Sequence, residues 1–186
     1  LAEPFEPDPT RIGGGTDVTP NSDAAGRAIS VVGAGIAGSW TALLLADAGC
    51  RVTVYERGGE HANNAATSWW AGGMLAPDCE ADGAEPIVVR LGRRSLDLWA
   101  RHIPETEVQG SLVVAHPRDR ADLERFARQT SGHERADAAR IAALEPALAG
   151  RFRDGLFFAQ EGHVEPRRVL ASLRRRLRER GVALLF

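Results

Sequence analysis

AISVVGAGIAGSWTALLLADAGCRVTVYE, residues 28–56, carries the fold in one run. Residues 28–32 are apolar and β-branched, the pattern of a short buried strand. Gly33-Ala34-Gly35-Ile36-Ala37-Gly38 follows directly and opens a helix that ends near Gly49. RVTVYE, residues 51–56, reads as the next strand. Strand, helix and strand within about 30 residues make a βαβ unit with parallel strands and a right-handed crossover. The glycines have separate roles. Gly33 permits a tight turn, Gly35 lets backbone approach a pyrophosphate, and Gly38 lets the helix pack close to the strand. Helix N-terminal N–H groups and the positive end of the helix dipole then face the phosphates. Glu56 ends the second strand, where an acid accepts hydrogen bonds from a ribose 2′-hydroxyl. Its neighbour Arg57 weakens the case against a 2′-phosphate. Together these features point to dinucleotide binding, and they leave FAD and NAD undecided.

The composition narrows the remaining classes. The 186 residues suffice for one domain or somewhat more, with 44% hydrophobic and 26% charged residues, as in soluble globular chains. A net charge of −2 favours neither a nucleic-acid nor a membrane-surface partner. All 23 basic residues are Arg, so no lysine is present for a Schiff base. Cys50 and Cys79 have neither metal-site spacing nor a disulfide pattern, and a reducing cytoplasmic setting is expected. No apolar run is long enough to span a membrane. His61, His102, His116, His133 and His163 lack metal spacing, and no metal site is expected.

Domain organisation follows from the pattern along the chain. Residues 1–27, with several prolines and a GGG, read as a disordered tail or linker. Residues 28–83 form the cofactor-binding segment and 84–165 a partial second domain with connecting segment. Residues 166–186 return a helix and a strand to the first domain. Within these limits a helix is expected near 86–103, with Leu91, Leu96, Leu98 and Trp99 inward. GSLVVA, 110–115, is a strand. RDRADLERFARQTSG is a helix with Leu123 and Phe126 on one face. DAARIAALEP is a short helix capped by Asp137. GLFFA, 155–159, and 163–164 are strands. PRRVLASLRRRLRERG starts with Pro166 and buries Val169, Leu173 and Leu177. Its many arginines read as a solvated face, since no aromatics interleave with them for stacking on bases. Asp78, Glu80, Asp82 and Glu85 read equally as a solvated loop or a lid.

TSWWAGGMLAP, residues 67–77, suits neither helix nor strand. In an NAD dehydrogenase the second strand leads promptly into another crossover helix. Here a Gly- and Asn-rich loop intervenes and runs into WWAGGM. Gly72 and Gly73 remove side chains where a flat ring or pyrophosphate would approach. Thr67 and Ser68 offer hydroxyls to phosphate or ribitol, and Trp69 and Trp70 would wall the pocket. The same residues also suit a plain turn beside core tryptophans.

GAGIAG, Glu56-Arg57 and above all ATSWWAGGMLAPDCE resemble the D-amino-acid-oxidase-like flavoenzymes, closest to the glycine oxidases of thiamine biosynthesis. GSLVVA, IAALEPAL and GLFFAQEGHVEPRRVLASL extend the resemblance over residues 28–186. The resemblance implies an α/β fold: a Rossmann-like FAD-binding domain with part of an interleaved substrate domain of antiparallel strands and helices. It implies FAD at Gly33, Gly35, Ile36, Ala37 and Gly38 for the phosphates, and at Glu56 and Arg57 for the ribose. Thr67, Ser68, Gly72, Gly73 and Met74 would meet pyrophosphate, ribitol or flavin.

The activity implied is oxidation of a small amine such as glycine, through the imine, to glyoxylate and ammonia. Molecular oxygen would be the acceptor, giving hydrogen peroxide, with thiazole synthase and a homo-oligomer as possible partners. Sarcosine or D-amino-acid oxidation or dehydrogenation, or a non-catalytic nucleotide-binding remnant, are the alternatives. The family's carboxylate-clamping arginine and second flavin segment have no match here, so no catalytic residue is assigned. A fragment inactive by itself is the resulting expectation.

Overall fold

The structure, a computed structural model, describes residues 25–60 and 66–186. The expected tail therefore lies outside the described residues up to position 24, as does His61 with the middle of its loop. The chain divides into two units: one holds the described residues up to Gly73 together with Glu165–Phe186, the other Met74–Val164.

In the first unit, β1 (Ala28–Val32), α1 (Ile36–Asp47) and β2 (Arg51–Tyr55) form the expected βαβ unit. β1 and β2 are parallel, in register from Ala28 opposite Arg51 to Val32 opposite Tyr55. β8 (Ala183–Leu185) joins the other side of β2, also parallel, giving the order β1-β2-β8. One face of this sheet is closed: Val52 and Val54 are buried, as are Ala42 and Leu43 of α1. The other face carries Val32, Tyr55 and Leu185, all exposed. α5 (Pro166–Glu179) packs against α1. Its N-cap Glu165 accepts from the Arg167 and Arg168 N–H groups, and Pro166 occupies a position that needs no donor. Val169, Leu173 and Leu177 are fully buried, as their helical spacing requires.

The second unit centres on an antiparallel sheet of β4 (Ser111–Ala115), β6 (Asp154–Phe158) and β5 (Glu134–Asp137), in the order β4-β6-β5. Leu123 of α3 (Arg120–Gln129) packs on Leu156 and Phe158, with Phe126 edge-on to Phe158 at 6.2 Å. Asp137 caps α4 (Ala138–Leu144) by accepting from the Arg140 N–H. A small antiparallel pair joins β3 (Met74–Leu75) to β7 (Gly162–His163). α2 (Pro86–His102) buries Leu96 and Trp99, whereas Leu91 is exposed, contrary to expectation. Leu91 lies five positions before Leu96, about 500° of helical turn, which places it well away from the buried side.

Two elements differ from the sequence reading. The sequence reading assigned no strand to β5, and ERAD has three charged residues in four. It is an edge strand with Ala136 alone turned inward, and charge suits an edge. TSWW forms a short 3₁₀ turn, Thr67–Trp70.

Candidate cofactor site

The site is built on the turn between β1 and α1. Gly33 has φ +94°, a left-handed conformation that a side chain would strain. A Cβ on Gly38 would stand 2.0 Å from the Gly33 carbonyl oxygen. No side chain larger than hydrogen fits there, so the turn and the helix approach each other only because residue 38 is glycine. Ser39, fully buried, donates its hydroxyl to the Ala34 carbonyl at 3.2 Å and braces the turn from inside.

Gly35 is the N-cap of α1 and has no side chain to close the helix end, and the first turn has no acid. The positive end of the helix is thus left without a counter-charge of its own. Ser68, from the 3₁₀ turn, brings its Oγ to the Ile36 N–H at 3.2 Å. Thirty-two positions separate those residues, and their contact sets the loop against the glycine turn.

Glu56, just beyond β2, accepts from the Ala34 N–H at 2.6 Å and from the Gly58 N–H at 2.7 Å. Burial by itself would raise its pKa. The two N–H groups, with the charges of Arg174 and Arg57, outweigh burial and hold the carboxyl below its ordinary value. A carboxylate has about four acceptor sites, so two bonds leave capacity for ligand hydroxyls. Arg57 itself is exposed.

The structure therefore brings together Gly33, Gly35, Ile36, Ala37, Gly38, Glu56 and Ser68. Thr67 is exposed on the same 3₁₀ turn. Around Gly72 a Cβ would meet nothing within 4 Å, and Gly73 has φ +74°. Met74 belongs to the second unit, where it is 60% exposed. The tryptophans do not form a closed wall within the first unit: Trp70 is 65% exposed. The Arg167 guanidinium lies over both rings, at 5.3 Å from the Trp69 centroid and 6.0 Å from that of Trp70.

One residue near the site escaped the sequence reading. Arg174 is not on a solvated face. It is 4% exposed and donates to the carbonyls of Gly59 and Glu60 at 3.2 and 2.7 Å. Its charge faces Glu56, and burial lowers its own pKa. Nothing in RRRLRERG marks this arginine apart from its neighbours. Only its place one residue after Leu173 in the buried stripe hints at it. The acidic run also differs from both expected readings at two positions: Asp78 is buried and paired with Arg93, and Asp82 pairs with Arg125 at 3.2 Å. Among the described residues no group of acidic, His and Cys side chains could hold a metal ion. No helix among them is long and apolar enough to cross a membrane.

A glycine turn, a helix start without a counter-charge of its own and an acid at the end of β2 define a dinucleotide-binding α/β protein. Residues 28–186 match the DAO family, described as FAD dependent oxidoreductase, and the chain belongs to that family of FAD-dependent enzymes. A Rhizobium etli protein, provisionally named thiamine biosynthesis oxidoreductase ThiO, is 51% identical over 146 residues. That match covers 78% of this chain and 44% of the Rhizobium protein. Crystal structures of glycine oxidases from Bacillus cereus and Geobacillus kaustophilus superpose with TM-scores of 0.69 each. Identity is 17% and 20%, over 86% and 83% of this chain and 45% of each oxidase. L-proline dehydrogenase from P. horikoshii superposes with a TM-score of 0.67 at 19% identity, covering 87% of this chain and 44% of its own. At these identities the structural likeness is one of fold. The chain spans less than half the length of each of these relatives.

Proposed function

We propose that this chain supplies the FAD-binding portion of an oxidase that deaminates a small amine, with glycine as the substrate. The reaction would carry glycine through its imine to glyoxylate and ammonia, with molecular oxygen as acceptor and hydrogen peroxide as product. Bound FAD supplies the two-electron acceptor for that chemistry. The identity to the Rhizobium protein supports a place in thiamine biosynthesis, which this reading puts at thiazole assembly. A cytoplasmic location, a homo-oligomer and a contact with thiazole synthase belong to the same reading.

The observation that carries the cofactor assignment is the close approach at Gly38, with Glu56 bonded back onto the Ala34 N–H. It leaves an uncapped helix start and a carboxylate side by side, which suits a pyrophosphate and a ribose diol respectively. Gly33, Gly35, Ile36, Ala37 and Gly38 would hold the pyrophosphate, and Glu56 with Arg57 the adenosine ribose. Thr67, Ser68, Gly72, Gly73 and Met74 would lie along pyrophosphate, ribitol and flavin. The main chain at Gly72 stands open to a ring. No side chain is assigned as acid or base.

Reconstitution of the purified chain with FAD, followed by desalting and a visible spectrum, tests this reading. Retained flavin bands that bleach anaerobically with glycine, and less with sarcosine or D-alanine, are expected of the complete activity. Bands that persist without bleaching would keep the cofactor site and deny glycine oxidation to this chain by itself. A colourless protein would remove cofactor binding by this chain as it stands.

A further inference from the structure

The two-residue pair of β3 and β7 presents a problem of register. Met74 stands opposite His163 and Leu75 opposite Gly162. So short a ladder specifies its own register weakly, and a slip of one residue would turn Met74 to the opposite face. A further constraint is needed, and Glu161 provides it.

Glu161 directly precedes β7 and is fully buried. Its Oε1 accepts from the Cys79 N–H at 2.6 Å, and the Ser111 hydroxyl and the Asp78 N–H face its carboxylate. Its own carbonyl accepts from the Gly110 N–H at 2.9 Å. Gly162 thus holds Leu75 through the main chain, while its neighbour Glu161 holds Cys79 through a side chain. The segment from Met74 to Cys79 is gripped at both ends by two consecutive residues, Gly162 and Glu161.

A carboxyl used only to fill space would be a costly choice, because burial disfavours its charge. Oε2 is buried without a hydrogen-bond partner. The groups around it are acidic or neutral: Asp78 and Cys79 on the clamped segment, and Ser111 on β4. Arg93 is engaged with Asp78. The site therefore tolerates a buried acid whose visible return is the bond to the 78–79 backbone.

We infer that Glu161 is a positioning residue, fixing the register of Met74–Leu75 against Gly162–His163.

Amide hydrogen exchange on the full chain tests this inference. In E161A, exchange at Met74, Leu75, Gly162 and His163 is expected to accelerate about tenfold or more, since a bond to a charged acceptor is lost. Amides of the β4–β6–β5 sheet should stay protected. Uniform acceleration across the second unit, or unchanged exchange at Leu75 in a folded protein, would overturn the inference.

E161Q serves should E161A fail to fold. The Cys79 thiol is pushed up to about 11 by burial first and then by Glu161, Glu80 and Asp78. Removing the Glu161 charge at constant shape should lower that value, so alkylation of Cys79 at pH 9 should rise by about threefold or more. Exchange at Cys79 and Leu75 no faster than in the native protein, together with an unchanged alkylation profile, would overturn the clamp.

Discussion

The Glu56 carboxylate bonds back across the sheet: Oε2 accepts from the Ala34 N–H at 2.6 Å, joining the end of β2 to the turn after β1. The other oxygen accepts from the Gly58 N–H at 2.7 Å. One side chain thus ties together the glycine turn and the loop leaving β2, before any ligand arrives.

Acid sensitivity should follow from that arrangement. The Glu56 pKa lies below its ordinary value of 4.5 in the folded protein. Its contribution to stability is therefore present above the unfolded value and lost as pH falls toward the folded one. Urea midpoints of the native protein should drop as pH falls below 4.5, and E56Q should flatten that slope. E56Q should also cost about 1–3 kcal/mol at neutral pH, because its amide nitrogen faces an N–H that needs an acceptor. Urea titrations across acidic and neutral pH measure both effects.

Gly38→Ala should be among the most damaging single-atom changes. The added carbon would stand 2.0 Å from the Gly33 oxygen, which belongs to backbone and cannot rotate away. Overpacking of this kind costs about 3 kcal/mol or more. Thermal melts should show a large fall in Tm. Gly59→Ala, whose Cβ would meet nothing within 4 Å, tests the milder penalty of φ +85° alone.

Arg174 and Arg168 share one helix and should behave differently. R174M removes donors from the Gly59 and Glu60 carbonyls and a charge from opposite Glu56. A loss of about 1–3 kcal/mol is expected. Arg168 is exposed, and R168M should stay within about 0.5 kcal/mol. Denaturant unfolding of the two variants decides the matter.

Binding of FAD should quench tryptophan emission, most strongly from the residues nearest the ring. Trp69 and Trp70 precede Gly72 and lie under Arg167. W69F with W70F should remove more of the quench than W99F, whose target is buried in the second unit. Equal losses would place the ring elsewhere.

The first unit was legible because its signals are local. β-branched residues, a glycine turn, a helical run and a closing acid all lie between positions 28 and 56, and each constrains the backbone beside it. The stripe Val169, Leu173 and Leu177 declared its buried face through spacing alone. Other features depended on partners far along the chain. Arg174 meets Glu60 from 114 positions away, and Glu161 meets Cys79 from 82. Neither residue differs in composition from its exposed neighbours, so only the packed structure separates them. β5 became a strand because β6 offered it an edge, against the preference of ERAD. The sequence by itself determined the βαβ unit and its dinucleotide chemistry, since turn geometry and helix periodicity are properties of contiguous residues. The tertiary structure alone decided which arginine and which glutamate are buried, since burial is a property of what packs against a residue.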